Sequence, residues 1–186
     1  PWWRWAAWLA VQCCACWLLA AGPASAAPVR SINQALMLAV QPGVAVDWSA
    51  ARPVTLPDDW AASRPGQHGE VVYRLALPVP ADGAAGNALY GLYVERACSV
   101  MAASLNGQMI HSGGRFEEPV SRHCHRPQLV AVPGALLKPG SNLVDLRVRG
   151  YALAEVSSRQ RVGGLGVVEF GPYESIAAHH ERRLVF

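Results

Sequence analysis

An all-β fold, a β-sandwich of the jelly-roll kind, is what this sequence predicts, and three observations predict it. Apolar and polar residues alternate along "EVVYRLALPV" (70–79) and "NLVDLRVRG" (142–150), the period of two that marks half-buried strands. Turn pairs (Asp82-Gly83, Asn106-Gly107, Gly113-Gly114 and Pro139-Gly140) punctuate a set of about seven such stretches, the spacing of a sandwich. Asn106-Gly107 also falls between two apolar stretches, and both residues tolerate the positive φ of a type I′ hairpin turn.

The elements follow in chain order. "PWWRWAAWLAVQCCACWLLAAGPASAAP" has Arg4, an uncharged apolar run from Trp5 to Gly22, then Ala24-Ser25-Ala26, the order of a secretory signal peptide over 1–26. The rival reading is an uncleaved anchor, because the run approaches the roughly 17 residues of the shortest spanning helices. The breaker Gly22-Pro23 favours cleavage after Ala26. Residues 27–44 are a lead-in, where "SINQALMLAV" (31–40) is expected helical, with Ser31 as cap and Ile32, Leu36 and Ala39 or Val40 at helical spacing.

The sandwich is expected over 45–172. In 70–79, Val71, Tyr73, Leu75 and Leu77 share one face and Val72, Arg74 and Ala76 the other; in 142–150, Val144, Leu146 and Val148 face in and Asp145, Arg147 and Arg149 out. Further strands are expected at 88–96, 98–105, 108–112, 128–133 and 165–171. A helix is expected over 173–186, with Pro172 suited to its first position and Glu174 placed at the positive end of its dipole. Leu184-Val185-Phe186 reads as the start of an apolar segment running towards a membrane.

Export decides the cysteine chemistry. Cys13, Cys14 and Cys16 leave with the signal, and Cys98 and Cys124 remain in an oxidising compartment, where two cysteines favour pairing. Their disulfide would stabilise the domain by about 3 kcal/mol on the chain-entropy model. Sixteen basic and 13 acidic side chains give +3, or +2 without Arg4, so charge argues for no nucleic-acid role.

"RHCHRPQ" (122–128) raises the question of a site. If the stretch is extended, His123 and His125 share a face and Cys124 takes the other, so the three cannot ligate one metal in a row. His123 and His125 with His111 or His68 could still make a three-His site, but bare spacing favours the disulfide, and no metal or cofactor is expected. The longer stretch 111–128 is the candidate ligand loop, carrying Arg115, Phe116, Arg122, His123, His125 and Arg126. Arginine forks and a stacking aromatic suit carboxylate or sugar ligands, and the histidines would make such a loop pH-sensitive. The competing reading is a crossover loop whose charges are merely solvated.

Catalysis has little support in the residues. Asp58-Asp59 and Glu117-Glu118 are adjacent pairs that an extended chain points to opposite faces, so neither makes a two-carboxylate site alone. There is no Gly-x-Ser-x-Gly, and Gly163-Gly164-Leu165-Gly166 fits a turn before a strand better than a cofactor loop. This chain is therefore expected to hold no active site. Trp48, Trp60, Tyr73, Tyr90, Tyr93 and Tyr151 are expected in core or rim.

"VTLPDDW" (54–60), "VVYRLALPV", "SLNGQMI" and "LKPGSNLVDLRV" together resemble the sugar-binding-type jelly-roll module that precedes the catalytic barrel in glycoside hydrolases. Val72 departs from that pattern, which usually carries Trp before Tyr-Arg. With the signal in front and "VGGLGVVEFGPYESIAAHHERRLVF" behind, the chain is also similar, over 45–186, to the extracytoplasmic galactose-binding-like domain of bacterial membrane sensors, histidine kinases and seven-transmembrane receptors among them. That resemblance implies a sensory domain on the periplasmic face of the inner membrane. Its implied partners are a small ligand of carbohydrate or carboxylate class or a periplasmic protein, the membrane through a following segment, and a second copy in a homodimer. The other expectations are an accessory module of a secreted hydrolase and a structural domain without ligand.

Overall fold

The computed structural model describes residues 28–77, 79 and 86–184, without the side chains of 182–184. The expected signal peptide, the Asp82-Gly83 turn and the last two residues lie outside that range. The described chain is all-β, with few helices.

Strands β1 (Arg30–Ser31), β2 (Gln34–Val40), β3 (Arg52–Thr55), β4 (Asp58–Asp59), β5 (Gly69–Leu77), β6 (Leu89–Val94) and β7 (Ala97–Cys98) come first. β8 (Val100–Leu105), β9 (Gln108–Ser112), β10 (Gln128–Pro133), β11 (Asn142–Gly150), β12 (Gly164–Leu165) and β13 (Val168–Pro172) follow. The α-helices among the described residues are α1 (Trp60–Ser63) and α2 (Tyr173–Leu184). One antiparallel sheet runs β3-β2-β5-β11-β8-β9, a second β1-β13-β6-β10, and a small third β4-β12-β7. The chain passes from the second sheet (β6) through the third (β7) to the first (β8), so the small sheet closes one end.

The core is the space the alternation predicts. Val71, Tyr73, Leu75 and Leu77 of β5 and Val144, Leu146 and Val148 of β11 are buried together with Tyr90, Leu92 and Val94 of β6 and Val168 and Phe170 of β13. The outward residues of β11 build a charge ladder. Asp145 takes a bidentate hydrogen bond from Arg74 directly opposite, at 2.7 Å for each nitrogen, and Arg147 pairs with the buried Glu70. Tight turns lock the registers. Asn106 and Gly107 have φ of 51° and 88° between Leu105 and Gln108, as a type I′ turn requires. The fully buried Asn142 holds the Pro139-Gly140 turn: its amide exchanges 2.8 Å bonds with the Lys138 backbone and accepts from Asn106 at 2.9 Å.

Residues 31–40 correct the helical expectation. They hold the end of β1 and all of β2, and the strands begin at Arg30 instead of after 45. Ala35 and Met37 are buried at period two while Leu36 is 44% exposed, and β2 pairs with both β3 and β5. Sheet pairing on two sides outweighs the weak local helical spacing. The expected strand 98–105 divides into β7 and β8, and 165–171 into β12 and β13, because each crosses between sheets.

Helix α2 covers the outer face of the second sheet. Gly91 permits this approach, since a Cβ there would lie 3.0 Å from Leu129 and 3.5 Å from Ile176. His180 stacks on Tyr93 and bonds Glu169 at 2.9 Å, all three buried. Among the described residues no helix is long and apolar enough to cross a membrane.

A basic cleft as candidate functional site

The loop between β9 and β10 is fixed at three points before it reaches the residues of interest. Gly113 passes so close to β8 that a Cβ would lie 2.7 Å from the Met101 carbonyl. Arg115 and Ser121 then exchange hydrogen bonds, the Arg115 N–H to the Ser121 hydroxyl at 2.9 Å and the Ser121 N–H back at 3.0 Å. The His123 N–H donates to the Ser99 carbonyl at 2.7 Å, and Cys124 is bonded to Cys98, so the pairing expected from the sequence forms. The chain turns from His123 to Arg126, with Cys124 buried and Arg122, His125 and Arg126 exposed.

The opposite wall is the loop after β11. The Glu155 carboxylate accepts from the Ala152 N–H at 2.8 Å, the Leu153 N–H donates to the Pro65 carbonyl at 2.9 Å, and the Gly163 N–H returns to the Tyr151 carbonyl at 3.0 Å. Between the walls lies a cleft of about 460 Å³. Arg122, His123, His125 and Arg126 line one side, Tyr151, Glu155, Ser157 and Arg161 the other, and the disulfide its floor near Ser99.

Its electrostatics are one-sided. Among the described residues Arg122, Arg126 and Arg161 have no ion-pair partner, and Glu155 is the one acid among the lining residues. That acid is occupied: the Ala152 N–H and then His68, 3.2 Å away, hold its carboxyl below the ordinary value. Beside the cleft, Tyr151 donates to Glu118 at 2.9 Å, which lowers that carboxyl, while burial and then the Glu118 bond raise the phenol. A recess lined by three guanidinium groups outside any ion pair among the described residues, two imidazoles and one aromatic ring suits a carboxylate-bearing ligand.

Four of the six expected ligand residues, Arg122, His123, His125 and Arg126, meet in this cleft. Arg115 and Phe116 lie outside its lining, and Phe116 instead packs under the Arg147 guanidinium, 4.9 Å from the ring centre. Tyr151, Glu155, Ser157 and Arg161 form a wall that the sequence pattern does not mark, beyond the polar run Ser157-Ser158-Arg159-Gln160-Arg161. His111 bonds Gln128 at 2.8 Å and His68 bonds Glu155, and among the described residues no three His, Cys, Asp or Glu are placed to hold a metal. The acid pairs are committed elsewhere. Asp58 is buried against Ser63, Arg64 and Tyr73, Asp59 caps α1 and pairs with Arg159, and Glu118 binds Tyr151 and Arg149. Trp60, Tyr73, Tyr90 and Tyr93 are buried, and Trp48 stacks on Arg74.

The sheets define an all-β sandwich, and the solved structures similar to it include glycoside hydrolases. The chain is similar to β-glucuronidase from Bifidobacterium dentium complexed with coumarin-3-O-glucuronide, at 18% identity and TM-score 0.56 over 81% of this chain and 31% of that one. It is similar to β-glucuronidase from Faecalibacterium prausnitzii (17%, TM-score 0.53, 83% of this chain and 33% of that one). A β-galacturonidase from Eisenbergiella tayi bound to galacturonate also matches (10%, TM-score 0.53, 78% of this chain and 24% of that one). The chain thus spans a third or less of these proteins, and at such identities the likeness shows the fold. No protein-family model and no curated protein matches the sequence.

Proposed function

We propose that this chain is an exported, non-catalytic ligand-binding domain whose basic cleft takes a small carboxylate-bearing ligand of the carbohydrate class. One observation carries the reading: Arg122, Arg126 and Arg161 line one recess, none of them in an ion pair among the described residues, and the loop that brings Arg122 and Arg126 is tied down by a disulfide. Charge-assisted guanidinium–carboxylate hydrogen bonds are about twice as strong as neutral ones and favour a sugar acid over its uncharged counterpart. The domain belongs at the periplasmic face of a bacterial inner membrane, as the sensory part of a membrane-bound signalling protein such as a histidine kinase. Helix α2, packed on the sandwich and last in the described chain, is the element that would pass ligand occupancy onward. The fold likeness to glycoside hydrolases supports a second setting, a carbohydrate-binding accessory module of a secreted hydrolase. Fractionation of the full-length protein separates the settings: recovery with the inner membrane supports the sensor, and a soluble secreted glycosidase supports the module.

The ligand class is tested by thermal shift and calorimetry with glucuronate, galacturonate, glucose, galactose and citrate. A sugar acid should raise Tm and its neutral counterpart should not. Arg122→Ala and Arg161→Ala should each weaken the acid about tenfold or more, at unchanged apo Tm. Equal response to acid and neutral sugar, or none to either, contradicts the assignment.

A further inference from the structure

We infer that the cleft continues past His125 into a second subsite, and that the domain takes a linear oligosaccharide of sugar acids instead of a single one. This rests on the reading of the first cleft as a carboxylate site. His125 lines both that cleft and a neighbouring recess of about 480 Å³ bounded by Asp59, Arg96, Arg159 and Gln160. Each recess falls in the size range of small-molecule sites, so the two joined exceed the needs of one sugar ring.

The short 3₁₀ turn Arg159–Arg161 explains how one loop serves both. Successive side chains on such a turn are about 120° apart, so residues two apart point in different directions. Arg161 lines the first recess and Arg159 the second. The turn itself is held from below: the Arg96 guanidinium donates to the Gln160 carbonyl at 3.1 Å and the Val162 carbonyl at 2.6 Å. Arg159 pairs with Asp59 at 3.0 Å, but the two side chains are 66% and 41% exposed, and exposed pairs are weak enough for a ligand carboxylate to exchange for Asp59.

Cations on both sides of His125 match anions repeated along a chain; one carboxylate reaches one side only. Ser157 and the Gln160 amide offer partners for ring hydroxyls, and Tyr151 a ring face. An acidic peptide fits less well. The lining comes from loops and from two-residue β4, which leaves no strand edge long enough for an extended peptide to pair with.

The experiment is calorimetry of the 186-residue chain at fixed salt with galacturonate and its dimer, trimer and tetramer. A neutral tetrasaccharide, a sulfated tetrasaccharide and hexa-aspartate serve as comparisons. Affinity should rise tenfold or more from monomer to trimer. Arg159→Ala should abolish that rise while leaving the monomer Kd unchanged, whereas Arg161→Ala should weaken every length. Monomer binding with no gain on lengthening overturns the second subsite and leaves the single site standing. Tighter binding of the sulfated oligomer or of hexa-aspartate overturns the ligand class. Binding by no acidic sugar of any length overturns this inference together with the site reading beneath it.

Discussion

Asp58 accepts from Tyr73 Oη at 2.7 Å and from Ser63 Oγ at 2.8 Å and pairs with Arg64, while Trp60 Nε1 donates to the same Tyr73 oxygen at 2.7 Å. The "LPDDW" motif is therefore a buried polar network under the small sheet, and Gly163 is shaped by it, since a Cβ there would come within 2.1 Å of the Trp60 ring. Tyr73→Phe leaves a buried indole N–H and a carboxylate short of one partner, and should cost about 1–3 kcal/mol in urea unfolding. Burial, then the Asp58 charge, pushes the Tyr73 phenol above its ordinary 10, so the folded state resists its ionisation. A raised folded value means stability is full below 10 and falls as pH rises past it. Unfolding midpoints at pH 8 and pH 11 should therefore diverge in wild type and less in Tyr73→Phe; equal losses would contradict the network. The sequence shows the motif but not this role, because Tyr73 and Asp58 are fifteen residues apart and nothing local states that they meet.

Strand β11 was legible because one face is fully buried and the other carries Asp145, Arg147 and Arg149, so its bounds and faces match the pattern. Strand β2 was not: Ile32 just before it and Leu36 and Val40 within it fall in accidental helical spacing, and it becomes a strand through its neighbours β3 and β5. Half of the cleft was legible for a related reason. "RHCHRPQ" announces itself by composition, whereas the wall at 151–161 has no periodicity, and only the return of the chain to Gly163 brings it opposite. The Cys98–Cys124 bond ties the 122–126 wall to β7. Replacing both cysteines by alanine should lower stability by about 3 kcal/mol in denaturant and weaken ligand binding as well. Lost stability with intact affinity would show that the loop holds its geometry without the bond. Ile176 anchors α2 with no exposed surface, and Ile176→Ala should cost about 2–5 kcal/mol, read as a drop in Tm.

The whole molecule carries only +3, so the cleft gains its character from distribution and not from total charge. Acids around it are engaged: Glu118 by the Tyr151 hydroxyl, Glu155 by the Ala152 N–H, and Asp59 by Arg159 and Ala61, whose bonds outweigh the opposing effect of burial. Each carboxyl is lowered, so each contributes stability that is complete above the ordinary 4.5 for Glu and 3.8 for Asp and drains away as pH falls below them. Tm should hold from pH 7 to about 5 and decline below it; a flat profile to pH 3 would contradict those assignments. Ligand affinity should weaken with salt, since exposed charges more than about 8 Å apart are screened at physiological ionic strength. The most direct test of the central claim is one titration: galacturonate into the wild-type chain and into Arg122→Ala/Arg161→Ala. Saturable binding in the first, lost in the second at equal Tm, is the predicted result; equal binding in both, or none in either, would contradict the basic cleft as the ligand site.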